Sequence, residues 1–292
     1  MSLTLSENKI KSLIALLDDD DNKAFELIRE QILEIGPDLM PFLENYEDKS
    51  DNDFTKSRIS LVYDELKLKK VVGDINEWRQ YNYKNLFQGL AIIAAFQYPR
   101  LDISTVSGLL NKIRQEFWTE VNDNLKPLEK VKVLNRIFFN VYGFKGNPND
   151  YYALENSFLN DVILQRKGSP LMLSVLYSII AQSLDIPIYG VNTPRNFMLA
   201  YLDTTYSFPV DEVEDKNILF YINPYNKGEI HSLKDIFTYL KRIGVNQKSE
   251  YYIPCSNSTI LKRSINNIIV AYDKKSDKPK VSAYQEILKV FL

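Results

Sequence analysis

The tightest constraint on the fold lies between residues 157 and 222, where a helical pattern breaks, restarts and runs straight into three strand-like segments. Residues 157–165 read as a short helix, and Gly168-Ser169-Pro170 then interrupts the chain. Pro170 suits the first turn of a new helix, where its missing N–H leaves nothing unpaired. That helix reaches about residue 184, with Leu173, Leu176, Ile179 and Ile180 on its apolar side. The runs 186–191, 197–202 and 218–222 follow, rich in the β-branched and aromatic residues that strands favour. Helices beside a run of adjacent strands predict an α+β core with a small antiparallel sheet.

Helices are predicted on both sides of this core. Upstream, residues 7–17 place Ile10, Leu13, Ile14 and Leu17 on one face, and 23–35 turn Phe25, Ile28, Ile32 and Ile35 inward before Gly36-Pro37 ends the helix. A third segment carries Leu39, Phe42, Leu43 and Tyr46, residues 47–53 form a loop, and a fourth helix covers 54–69. Short helices joined by tight turns resemble one or two units of a HEAT-like hairpin stack, a helical layer that needs packing against the core to be stable. The pattern restarts near residues 72–83, and further helices are expected over 86–97, 103–121 and 130–141. Ser232-Leu-Lys-Asp235 resembles a capping box for a helix reaching Lys241. Residues 260–272 and 283–292 read as two closing helices. The expected divisions are a helical HEAT-like region over 1–75, a core over 76–245 and a C-terminal helical extension over 246–292.

Composition removes several function classes. The formal charge is −2, so no global basic footprint points to nucleic acid. One cysteine, Cys255, excludes an intramolecular disulfide framework. One histidine, His231, beside that single thiol leaves too few ligands for a His/Cys metal site, so no metal and no cofactor are expected. The run Asp18-Asp19-Asp20-Asp21 fails the calcium-loop pattern, because Lys23 stands where glycine is needed and Arg29 where the bidentate glutamate belongs. It suits the start of the next helix instead. The opening residues MSLTLSENKIKSL lack the apolar stretch of a secretory signal, and apolar runs such as 90–96 are far shorter than the ~20 residues a membrane span requires. A cytoplasmic protein away from the membrane is the expectation.

The segment ENSFLNDVILQRKGSPLMLSVLYSIIAQSLDIPIYGVNTPRNFMLAYL resembles the transglutaminase-like core of the papain-like superfamily, and within it the SirB-type branch. The counterparts of that branch's motifs are Asn156 to Val162, Arg166 to Pro170, Gly190-Val191, Pro194 to Phe197, and Asn223-Pro224-Tyr225 before Gly228. The motif-bearing part covers about residues 140–240. In active members a cysteine opens the long helix, a histidine begins one strand as its base, and an aspartate ending the next strand orients the histidine. The resemblance puts these positions at Pro170, Asn196 and Asn223. Proline offers neither nucleophile nor N–H, and an amide neither titrates near neutral pH nor carries charge. The branch generally has proline at the nucleophile position; loss of the histidine is a departure from it. The resemblance therefore implies a catalytically degenerate core.

Other residues offer chemistry in the same cleft. His231 and Cys255 are the one available thiol–imidazole pair, in reversed order relative to the family. Ser169 and Ser174 flank the nucleophile position as a helix cap and a helix polar residue, with no base at hand. Arg166 and Arg195 suit either a structural ion pair or bidentate recognition of a carboxylate or phosphate. Asn160 and Tyr177 complete the candidate cleft-binding set. The leading expectation is a non-catalytic protein-binding, scaffolding or regulatory protein with a protein partner. The alternatives are a hydrolase or acyl transferase using a non-standard constellation, and a module sensing a small ligand through Asn196, Asn223 and the arginines. A filled cleft favours scaffolding, and an open polar pocket favours the others.

Overall fold

The structure, a computed structural model, describes residues 7–18, 21–122, 124–203 and 213–292. The chain divides into two compact units, Met1–Glu77 and Trp78–Leu292.

The first unit is helical throughout its described residues: α1 (Glu7–Ala15), α2 (Asn22–Ile35), α3 (Met40–Lys49) and α4 (Asp53–Glu77). Its core gathers Ile14, Leu17, Ile32, Leu43, Ile59, Val62 and Leu66, the residues that the 3.6-residue spacing places inward. Asp21 caps α2 by accepting from the Lys23 N–H at 2.8 Å. Asp18 accepts from the Thr55 hydroxyl, and Asp19 and Asp20 lie outside the described residues. The fourth helix is longer than its predicted 54–69 because Val71 and Ile75 extend the buried face, so the expected restart near residue 72 does not occur. The expected loop shrinks correspondingly to residues 50–52.

The second unit opens with the π-helical turn Trp78–Asn82 and continues through α5 (Leu86–Gln97), α6 (Ile103–Glu120) and α7 (Pro127–Asn135). A two-residue parallel pair, β1 (Lys145–Gly146) and β2 (Lys167–Gly168), brackets α8 (Leu159–Gln165). Then come α9 (Pro170–Gln182), β3 (Ile188–Val191), β4 (Met198–Leu202), β5 (Ile218–Asn223), β6 (Glu229–His231), α10 (Leu233–Arg242), α11 (Asn257–Lys274) and α12 (Lys278–Lys289). The sheet is an antiparallel meander in the order β3-β4-β5-β6. All of β3 and β4 is buried, which explains why both read as continuous apolar runs instead of alternating ones.

Register assigns the two faces of this sheet. Tyr189, Val191, Met198, Ala200, Leu202 and Tyr221 form one cluster with Ile236 and Leu240 of α10. The alternate residues, Leu199 paired with Ile222 and Tyr201 with Phe220, take the opposite face, where α9 packs. Gly190 admits the Phe197 ring and Ile260 of α11, since a Cβ there would meet both. The segment after α10 docks along the free edge of β3, with Val191 bridged to Pro254 and the Cys255 N–H donated to the Gly190 carbonyl at 2.8 Å. No helix among the described residues is long and apolar enough to cross a membrane.

Candidate functional site

The start of α9 is built as the sequence dictates. Ser169 is its N-cap, accepting from the Met172 N–H at 3.2 Å, and Pro170 is the first helical residue. Every residue from Pro170 to Ser178 is buried. Ser174 donates its hydroxyl to the Phe197 carbonyl at 3.2 Å, which ties the helix to the first residues of β4. Tyr177, wholly buried, donates to Asn135 Oδ1 at 3.0 Å and packs against Phe138, and burial holds its phenol well above the usual range. Each hydroxyl on this stretch is thus committed to capping or packing.

Two other cleft candidates lie in the packing around α8. Asn160 donates to Asp161, whose carboxyl is raised by burial although the Tyr98 hydroxyl donated to it opposes the shift. Arg166 caps α8 in the left-handed region at φ 59°, with its guanidinium 4.9 Å from the Phe144 ring and 5.3 Å from Tyr142. Burial lowers its pKa, and no carboxylate pairs with it among the described residues, so its structural partners are aromatic faces and not the expected ion pair.

The turn joining β3 to β4, residues 192–197, is different in kind. Four hydrogen bonds pin it. Thr193 donates to the Tyr251 carbonyl at 3.0 Å, Tyr239 of α10 donates to the Pro194 carbonyl at 3.0 Å, and Arg263 of α11 donates to Asn192 Oδ1 at 2.7 Å and to the Thr193 carbonyl at 2.9 Å. On its α10 side lies a cavity of about 330 Å³ that Asn196 and Asn223 both line. The structure therefore brings together the two positions that the resemblance assigns to base and orienting acid, while Ser169 and Pro170 do not border this cavity.

Asn223 ends β5 and is held by the hairpin that follows. Its carbonyl accepts from the Gly228 N–H at 2.9 Å, and Gly228 adopts φ 75° in a place where any Cβ would collide with the Asn135 amide. The Asn223 side chain is buried, and its Oδ1 has no hydrogen-bonding partner among the described residues. Asn196 is half-buried, with its amide nitrogen 3.4 Å from the Met198 sulfur.

Sequence reasoning missed β6, and with it the ionisable side of this cavity. His231 and Glu229 of β6 lie on the same face of the sheet as Asn223 of β5, with Nε2 to carboxylate 3.5 Å. Asp235, exposed at the start of α10, has its carboxyl lowered mainly by the Ser232 N–H and hydroxyl, which it accepts at 2.7 Å each. A lone histidine directly before a capping box was the available signal. No nucleophile accompanies it among the lining residues: Thr193, Thr238 and Tyr239 all donate to backbone carbonyls.

Cys255 is not a partner for His231. The thiol flanks the β3 edge of the sheet and His231 sits on the β6 edge, four strand spacings apart or about 19 Å. The proposed dyad fails on geometry. Burial, moreover, pushes the Cys255 thiol up to about 12. No group of three or more metal-ligating side chains occurs among the described residues.

The profile of the transglutaminase-like superfamily matches residues 104–266, more than half of the chain. The chain belongs to the transglutaminase-like superfamily. It is similar to the UPF0162 protein of Xylella fastidiosa, 33% identical over 138 residues that cover 47% of this chain and 44% of the relative. It is also similar to the UPF0162 protein of Vibrio cholerae, 29% identical over 131 residues covering 44% of each chain. Human F-box only protein 21 is 29% identical over 136 residues, which cover 47% of this chain and 20% of that protein. The matched segment thus spans less than half the length of each of these relatives. No solved structure matches.

Proposed function

We propose that this protein is a SirB-type, catalytically degenerate transglutaminase-like protein that binds a partner protein in place of turning over a substrate. The observation that carries this reading is the pairing of a sealed nucleophile position with an open amide-lined cavity. Pro170 is buried and has no N–H, so this position supplies neither nucleophile nor oxyanion donor. Asn196 and Asn223 keep the places of base and acid but supply only amides. A buried acceptor left unpaired is unfavourable by about 1–3 kcal/mol, so the Asn223 Oδ1 favours an occupant that brings a donor, such as a polar side chain of a partner. The helices of the first unit, read as a HEAT-like layer, supply further surface for a protein partner.

One observation favours a second reading. His231 and Glu229 border the same cavity, an arrangement that is able to activate a water molecule without a nucleophilic side chain. A single experiment separates the two. The protein is assayed with glutamine and peptide substrates beside His231→Ala and a variant with Ser169, Ser174 and Cys255 all changed to Ala. No turnover by any of them is the expected result. Wild-type turnover lost in His231→Ala would establish the second reading, and turnover lost in the triple variant would show a conventional nucleophile at work.

A further inference from the structure

The 192–197 turn borders a second hollow on its other side, a groove of about 390 Å³ between the turn and α11. Three cations, Arg195, Lys262 and Arg263, line it with Asn192, Thr259 and Asn266, and no carboxylate lines it among the described residues. The Arg263 guanidinium is partly withdrawn from water; among the described residues it donates to two neutral acceptors, Asn192 Oδ1 and the Thr193 carbonyl, and lies 5.4 Å from the Phe197 ring. Burial lowers its pKa, which means the charged form is under-compensated where it stands. The hollow beside Lys132, Asn135 and Lys227 offers a contrast, because its Arg136 is already ion-paired with Glu120. Arg195 extends from a residue in the left-handed region at φ 61°, a conformation disfavoured for a side chain of this kind, and is exposed with no ion-pair partner among the described residues. Backbone strain of this sort gathers where a side chain must be aimed.

We propose that this groove binds a phosphomonoester, with Arg195 and Arg263 forking onto its oxygens and Lys262 adding a third positive charge. Two planar forks match a tetrahedral oxyanion, and three charges suit a dianion better than a single carboxylate. Asn266 and Thr259 supply neutral donors at the rim. The groove exceeds a bare phosphate in size, so the ester's organic part has room beside Tyr251. The proposal is independent of whether the neighbouring cavity is catalytic.

Isothermal titration of the full chain with a phosphoserine peptide, its unphosphorylated form, glycerol 3-phosphate and inorganic phosphate tests it. Binding is expected for the phosphorylated probes alone, weakening with added salt. Arg195→Ala and Lys262→Ala are each expected to weaken it about tenfold, the usual effect of removing a charge-assisted contact, with Lys112→Ala unchanged. Arg263 also pins the turn, so Arg263→Lys is read only with a melting curve beside it. Peptide binding without glycerol phosphate binding would identify a phosphorylated partner side chain as the source, and comparable binding of both a free ester; either supports the proposal. No binding of any phosphorylated probe would overturn it. So would loss of binding in Lys112→Ala equal to that in Arg195→Ala, which would mark non-specific charge attraction.

Discussion

The start of α9 and the 192–197 turn lie against each other through Ser174 and Phe197, yet they have opposite characters. At the helix start every polar group is spent on structure: Ser169 caps, Ser174 binds a carbonyl, and the residues between are buried. At the turn, Asn196 and Arg195 each border a hollow, and Asn223 from the next strand keeps an unpaired acceptor. In an active transglutaminase-like core these two regions would face one chemistry. Here one has become hydrophobic packing and the other has kept polar surface. The binding role proposed above needs no nucleophile, and a closed helix start beside an open turn is compatible with it.

The comparison breaks most visibly if Cys255 proves reactive. Its thiol is raised to about 12 by burial, with Arg263 opposing that shift, so at pH 8 its thiolate fraction is about a thousandfold below that of a free cysteine near 8.5. Alkylation of the native protein is expected to be slower by that order, rising about tenfold per pH unit up to the raised value. The sign for stability follows from the same shift. The folded state holds this proton more tightly than the unfolded chain, so the contribution is complete below the unfolded value and is lost as pH rises towards about 12. Fast labelling at neutral pH would show an exposed, activated thiol on the turn side.

The sealed end has its own test. Tyr177→Ala removes a buried ring stacked among Phe138 and Phe139 and strips Asn135 Oδ1 of its donor. A loss of about 3–5 kcal/mol in urea unfolding is expected. A loss below about 1 kcal/mol, the size of an ordinary surface change, would mean that the helix start is not packed as described.

How much of this was legible in the sequence depends on the range of the information. Pro170 as a first helical residue and the strands β3, β4 and β5 were readable because local steric rules and apolar runs specify them. The Ser232 capping box was readable for the same reason. β6 was not, since two exposed residues and a half-buried one, Glu-Ile-His, carry no strand pattern and pair only because the Gly228 turn folds them back. Candidate residues were legible by type and not by surroundings. Of the six proposed as cleft-binding, only Arg195 lines one of the two hollows beside the turn, because Asn160, Arg166, Ser169, Ser174 and Tyr177 turn out to be capping or packing groups. Arg263 could not have been singled out. Its place in the groove depends on α11 crossing the turn, a contact between residues 70 positions apart.

Asn223→Asp distinguishes a vacant cavity from a tolerant one. The substitution restores the residue type of the active family but puts a carboxylate where the amide oxygen is buried without a partner, on the same face as Glu229. Burial and the like charge both raise the new carboxyl's pKa above its unfolded value near 3.9. A destabilisation of about 1–3 kcal/mol is expected at pH 7, disappearing as pH falls and the carboxyl protonates. A variant as stable as wild type at pH 7 would show that water or His231 already compensates a negative charge there, which would strengthen the water-activating reading of the cavity.

The smallest effect is the most discriminating. Arg195 stands at φ 61°, where a non-glycine residue is disfavoured by about 1–2 kcal/mol, and its side chain is exposed, with no ion pair among the described residues. Arg195→Gly relieves that strain but gives the unfolded chain more freedom to lose, so the two terms nearly offset. The expected net change is a gain of no more than about 1 kcal/mol, read as a small rise in melting temperature. If the residue is there only as part of the turn, Gly is the better choice and nothing else changes. If it is there to aim a guanidinium into the groove, the same substitution weakens phosphomonoester binding about tenfold while the protein becomes no less stable. A gain in stability with weakened binding would identify the strained arginine as kept for its ligand, whereas a fall in stability above about 1 kcal/mol would place Arg195 among the structural residues with Arg166 and return the turn to the packed side of the comparison.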